Sequence, residues 1–154
     1  MKAAVYSETG PPSVLRYEDV PDPSVGLGTV LVRNQAISIE GGDVLHRSGG
    51  ELGRVPHVVG YQSAGTVEAV GPSVTDVTVG DEVVGWCSGA YAEYAVATSE
   101  ALVPKPPNLT FEQAAALGIF GAPAMLVNGE LFWGNDRLVE ALAEARRPSH
   151  DAVR

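Results

Sequence analysis

The sequence predicts a mainly β fold: a barrel or sandwich of short strands with short helices, followed by a β-hairpin and one α-helix. Three observations predict it. Apolar runs recur about every 10 to 15 residues up to residue 104, the rhythm of strands in a barrel or sandwich. The 18 Gly and 11 Pro are spread along the chain without a period, so they read as tight connections and not as a fibrous or linker repeat. Asn128-Gly129 lies between two apolar runs, a strong short-range hairpin signal.

The elements follow in order. Lys2–Tyr6 is apolar and bounded by Thr9-Gly10-Pro11-Pro12. Val14–Val20 alternates loosely and ends at Pro21-Asp22-Pro23. Thr29–Ser38 is a long strand after Gly26-Leu27-Gly28, and Ser63–Val70 ends at Gly71-Pro72. Val79–Trp86 and Ala90–Ala97 complete the strand set. Asp43–Arg47 reads as a single helical turn before Ser48-Gly49-Gly50, with the Asp43 side chain suited to capping it. Phe111–Leu117 reads as a helix with Thr110 as N-cap and Gln113 completing a capping box. Beyond it, Ala124–Val127 and Leu131–Trp133 form the hairpin. Arg137–Arg146 follows as a helix with Leu138, Leu142 and Ala145 on one face.

Composition bounds the function. A chain of 154 residues fits one domain, or one domain with an appendage. The net charge of −9 opposes nucleic-acid binding, which needs clustered Lys and Arg. No apolar run approaches the roughly 18 residues of a membrane span, and the start, MKAAVYSETG, has no apolar signal region. The single Cys87 excludes an internal disulfide and a multi-cysteine zinc site. It reads as a buried structural thiol. These features predict a cytoplasmic protein.

Residues 1–119 carry a family resemblance. The segments MKAAVYSETGPPSVLRYEDVPDP, GTVLVRNQAIS, GTVEAVGPSVTDVTVGDEVVG, GAYAEYAVA and LTFEQAAALG occur in order. They resemble the N-terminal half of medium-chain dehydrogenases/reductases, and most of all the zinc-free quinone oxidoreductases. The resemblance implies a GroES-like, partly open β-barrel over residues 1–117 that forms one wall of an active-site cleft. It implies NADPH as coenzyme, held by a separate Rossmann domain, and a quinone or carbonyl substrate. Zinc-dependent relatives carry Cys where this chain has Glu40, and Gly-His-Glu where it has Gly60-Tyr61-Gln62. Tyr and Gln are poor zinc ligands, so no metal is expected. The candidate cleft residues are Glu40, Asp43, Tyr61 and Gln62. A carboxylate at Glu40, where zinc-free relatives usually have Asn, would repel an anionic coenzyme.

A dinucleotide site needs a Gly-rich turn at a helix N-terminus and several βαβ units. After Gly118 only 36 residues follow, and no Gly cluster has that context. The chain alone is therefore expected to bind no coenzyme, and independent hydride transfer is doubtful.

Residues 118–147 resemble something else. Gly118–Pro123, Asn128-Gly129-Glu130 and Phe132-Trp133-Gly134-Asn135-Asp136-Arg137-Leu138 are similar to the C-terminal end of 2-hydroxychromene-2-carboxylate isomerases and kappa-class glutathione transferases, which are thioredoxin-like. That resemblance implies an alternative glutathione site at Ala122, Pro123, Asp136 and Arg137, with a cis Ala122–Pro123 bond. The plainer expectation is a hairpin and helix capping the barrel. A homodimer through the hairpin, with Leu131, Phe132 and Trp133 near the contact, is also expected. Residues 148–154 are expected to be a disordered tail.

Overall fold

The computed structural model describes residues 1–117, 124–128, 130–133 and 138–147. It is mainly β, with the strands curled into the expected half-open barrel. Lys2–Tyr6 (β1) pairs antiparallel with Arg16–Asp19 (β2) on one edge and with His57–Val58 (β4) on the other. The larger sheet has five antiparallel strands in the order Tyr94–Thr98 (β7), Thr29–Ile37 (β3), Gln62–Val70 (β5), Glu82–Trp86 (β6) and Leu102–Pro104 (β8).

Period-two alternation sets the inward face. Val30 and Val32 of β3 face Val67, Val83, Ala95, Ala97 and Leu102 in one buried cluster that includes Cys87. Gln62, Ser63, Ala64 and Gly65 at the start of β5 are all buried, because the opposite face is covered too. There Ala64 and Val84 meet Ala114 and Ala115 of the helix Phe111–Ala116 (α2). The capping box holds: Thr110 Oγ1 accepts from Gln113 N–H at 3.2 Å, and Gln113 Oε1 accepts from Thr110 N–H at 2.9 Å. Lys105, its side chain only 6% exposed, anchors this corner. It donates to the carbonyls of Leu109 and Pro106, pairs with Glu82 at 3.1 Å and lies 5.3 Å over the Phe111 ring.

The segment between β6 and β7 joins the two sheets. Ala4 N–H donates to the Tyr91 carbonyl at 2.8 Å, and Glu93 N–H donates to that of Lys2 at 3.1 Å. From the other side, Asn34 Nδ2 donates to the carbonyls of both Ala90 and Ala92, at 2.9 and 2.8 Å.

Several boundaries differ from the expectations. Strand β6 starts at Glu82, because Val79–Asp81 form a turn in which Asp81 accepts from Thr78 N–H. Strand β7 starts at Tyr94, and Ala90–Glu93 are the joining segment instead of strand. Val14 closes a 3-10 turn before β2. The two short strands β4 and β8 were not foreseen. The first helix runs Gly41–Gly49 (α1), two residues earlier and two later than expected, with Glu40 at its N-cap.

Ala124–Val127 (β9) and Glu130–Trp133 (β10) pair antiparallel through Asn128, whose φ of 51° suits the turn. Leu138–Ala145 (α3) packs on both strands. Within this unit, α3 contacts both strands of the hairpin. α3 leaves Val139 and Leu142 exposed.

Candidate functional site

Three of the four cleft residues expected from sequence meet where α1 begins. Glu40 is in extended conformation (φ −107°, ψ 155°), and its N–H donates to Asp43 Oδ2 at 3.0 Å. Asp43 is thus not the N-cap residue expected of it. It sits one turn in and reaches back, the reciprocal arm of a capping box. Its carboxylate is 4% exposed and takes a second donor on the same oxygen: Tyr91 Oη to Asp43 Oδ2, 2.8 Å. The other oxygen, Oδ1, is buried and has no hydrogen-bond partner among the described residues. An unpartnered buried carboxylate oxygen is costly, on the order of 1–3 kcal/mol or more.

Tyr61 flanks this helix start. A Cβ built on Gly42 would lie 3.9 Å from Tyr61 Cε2. The Tyr61 ring stacks on Trp86, with centroids 5.2 Å apart and planes 22° from parallel. Trp86 is half exposed, so the pair offers an aromatic ledge beside Asp43. Gln62 differs from the other three. It is buried, and its Oε1 accepts from Ser38 Oγ at 2.6 Å. It fixes the segment that leads into Ile39-Glu40 and does not face solvent.

Tyr91 is the residue that sequence reasoning missed as a site member. It read only as a strand aromatic; a Tyr in a Gly-Ala-Tyr segment gives no sign of a carboxylate 48 positions earlier. Its placement is strict. Tyr91 N–H donates to the Val59 carbonyl at 2.8 Å, and its ring covers Gly60. Gly60 has φ +102°, and a Cβ there would fall 2.3 Å from Tyr91 Cδ1. Burial and the Asp43 carboxylate both raise the Tyr91 phenol well above its ordinary value, so it stays protonated and donates.

A ring cluster lies beneath α1. Tyr6 Oη and His46 Nδ1 are 2.6 Å apart, and the His57 ring is 4.7 Å from His46 and 5.0 Å from Tyr6. Burial first, then Tyr61 and Asp43, raise the Tyr6 phenol. Cys87 is buried as expected. Its Sγ lies 3.1 Å from Ser63 Oγ, and burial pushes the thiol up to about 11. Among the described residues, no group of three or more His, Cys, Asp or Glu side chains converges, and no helix is long and apolar enough to cross a membrane. Ala122, Pro123, Asp136 and Arg137 lie outside the described residues, as does the Ala122–Pro123 bond; a cis proline bond is described at Val55–Pro56.

A curled antiparallel half-barrel with a short helix inserted between its third and fifth strands defines the class. The family model for the alcohol dehydrogenase GroES-like domain matches residues 26–107, and the chain belongs to that family. Among individual proteins, the chain is similar to a quinone oxidoreductase of Pseudomonas aeruginosa, 40% identical over 123 residues, covering 78% of this chain and 38% of that protein. Among solved structures, a mycobacterial quinone oxidoreductase superposes with a TM-score of 0.72 at 41% identity, over 76% of this chain and 37% of that one. An Escherichia coli quinone oxidoreductase complexed with NADPH superposes with a TM-score of 0.72 at 29% identity, over 75% and 36%. The chain thus spans less than two fifths of the length of these relatives. A second family model, the DSBA-like thioredoxin domain, matches residues 84–145. Residues 84–104 of that stretch hold β7, β8 and the end of β6, all bonded into the five-stranded sheet. The rest of that stretch holds α2, the hairpin and α3.

Proposed function

We propose that this chain supplies one wall of a zinc-free, quinone-oxidoreductase-type hydride-transfer site. The wall consists of Glu40, Asp43 and Tyr61, with Gln62 holding it from behind. The observation that carries this reading is the buried Asp43 carboxylate with one bare oxygen, set beside the Tyr61–Trp86 ledge. A flat ring suits the ledge, and a group that donates a hydrogen bond suits the oxygen. These residues fit the uncharged carboxamide end of NADPH. Two carboxylates, Glu40 and Asp43, at the helix start oppose its phosphates. NADPH supplies the hydride when bound, and the acceptor is a quinone or an activated carbonyl. The chain's own residues orient the flat rings against Tyr61, shield them from water and receive a donor at Asp43. Phosphate recognition is assigned to surfaces other than this wall, so the isolated chain is held to bind NADPH weakly and to transfer hydride slowly or not at all. A cytoplasmic setting belongs to the same reading.

Saturation-transfer NMR with NADPH and an aromatic quinone tests the reading. Transfer to the nicotinamide and quinone rings, reduced by Tyr61→Ala, supports it. Absence of transfer to either ring at millimolar ligand overturns it.

A glutathione-linked role for the tail is the second reading, supported by the DSBA-like match. Calorimetry with glutathione decides it: no heat at millimolar ligand removes it. Homodimerisation through the hairpin is proposed on the same unit. Its two-stranded sheet leaves the outer edges of β9 and β10 unpaired among the described strands, and such edges recruit partners. A monomeric mass in sedimentation at high concentration would overturn it.

A further inference from the structure

Of the four asparagines in the chain, Asn128 alone precedes a glycine; Asn34, Asn108 and Asn135 precede Gln35, Leu109 and Asp136. It is exposed at the turn between β9 and β10, with φ at 51°. Val127 pairs with Glu130, so Asn128-Gly129 is the whole connection. Its side chain also reaches α3. Nδ2 donates to the Glu144 carbonyl at 3.1 Å and lies 3.5 Å from Glu144 Oε1. Glu144 is in the last turn of α3, where the carbonyls form the negative end of the helix dipole. One amide thus ties the turn of the hairpin to the end of the helix.

We propose that Asn128 is a site of spontaneous deamidation, and that its conversion to aspartate or isoaspartate releases α3 from the hairpin turn. A glycine that follows asparagine has no side chain to shield its nitrogen. The Gly129 nitrogen attacks Cγ of Asn128; that C–N bond forms and the bond from Cγ to Nδ2 breaks. Ammonia leaves with the proton given up by Gly129. Water then opens the cyclic imide. Opening at the side-chain carbonyl gives aspartate, and opening at the main-chain carbonyl gives isoaspartate. The balance is water in and ammonia out, with nothing oxidised or reduced.

The product cannot remake the contact with α3. A carboxylate has no N–H to give. At position 128 it would face two acceptors, the Glu144 carbonyl and Oε1, and the second belongs to a charged group. Glu144 Oε2 is paired with Arg147 at 2.8 Å, but that side chain is 73% exposed and offsets little of the repulsion. Isoaspartate also adds a carbon to the main chain of the connection and so disturbs the Val127–Glu130 register. The same contact restrains the reaction. Ring closure needs Cγ against the Gly129 nitrogen, and the hold of Glu144 on Nδ2 restricts that motion. Deamidation is therefore fastest while α3 is open, and afterwards it keeps α3 open.

The experiment ages the full chain at mildly alkaline pH beside a synthetic peptide of residues 126–131. Cleavage after glutamate isolates residues 113–130, in which Asn128 is the only asparagine. The expected result is a mass gain of one unit in that fragment, with isoaspartate detected by enzymatic methylation. Its rate should be about tenfold below that of the peptide, the scale of one hydrogen bond that must open first. In Asn128→Asp, which mimics one product, hydrogen exchange of the α3 amides should rise about tenfold while that of β3 and β5 stays unchanged. An Asn128 still intact after the peptide has converted overturns the site. Conversion as fast as in the peptide overturns the restraint by α3. Exchange in α3 within about twofold of the unsubstituted chain, or an equal rise in β3 and β5, overturns the release.

Discussion

The Tyr6 hydroxyl donates to Nδ1 of His46 across 2.6 Å, tying the first strand to the first helix. Nε2 of the same ring faces the Glu51 carbonyl at 3.0 Å and so carries the proton. Both nitrogens are occupied by the neutral tautomer. His57 packs against both rings in tilted geometry, its plane 53° from Tyr6 and 36° from His46.

This arrangement predicts an acid-sensitive fold. Burial, then the neighbouring His46, hold His57 below the ordinary imidazole value of 6.5, with Asp43 opposing them. Between the folded and unfolded values, the unfolded chain binds more protons. Stability is therefore complete above about pH 6.5 and falls as the pH drops through the folded value. Melting temperatures recorded from pH 8 to pH 5 should decline across that window. His57→Phe, which keeps an aromatic ring in this place, should flatten the decline. An unchanged slope in this variant would refute the assignment.

Gly60→Ala should be severe. The backbone there has φ +102°, and the new Cβ would meet both the Tyr91 ring and its backbone nitrogen. Strain and displacement together predict a loss of about 3 kcal/mol or more, read from urea unfolding.

Lys105→Met keeps the aliphatic stem and removes the charge. It abandons two carbonyls, those of Leu109 and Pro106, together with Glu82. A loss of about 1–3 kcal/mol is expected from the unmet acceptors. A loss under about 0.5 kcal/mol would show that water replaces the ammonium.

Cys87 should be inert in the folded chain. Its thiol is buried and pushed up to about 11, so the reactive thiolate is scarce at pH 8. An aromatic disulfide reagent should label it only after denaturant is added. Rapid labelling of the native chain would contradict the burial.

The fold was readable from particular features. The Gly and Pro punctuation marked β1, β3 and β5 to within a residue or two, and the Thr110–Gln113 pair marked α2. Asn128-Gly129 marked the hairpin. The strands β4 and β8 were not legible, because two or three residues carry no periodicity and their pairing is decided by distant partners, Val5-Tyr6 and Val83–Gly85. α1 was read too short, since Gly41 and Gly42 have poor helix propensity and the reciprocal bond from Glu40 N–H to Asp43 supports the start. At the site, Glu40, Asp43 and Tyr61 came from motif position. Gln62 faces inward because Ser38 claims its oxygen. Tyr91 was invisible, because its contact with Asp43 exists only once the segment after β6 is folded across both sheets.

That crossing segment has a mechanical meaning. Asn34 grips it from the larger sheet at the Ala90 and Ala92 carbonyls, and Ala4 grips it from the smaller one at Tyr91. The phenol bonded to Asp43 therefore rides on a rivet through two plates, not on a dangling arm. Its hold is as steady as the seam between them, so a distant change that loosens that seam would free the Asp43 carboxylate before it unfolded the chain.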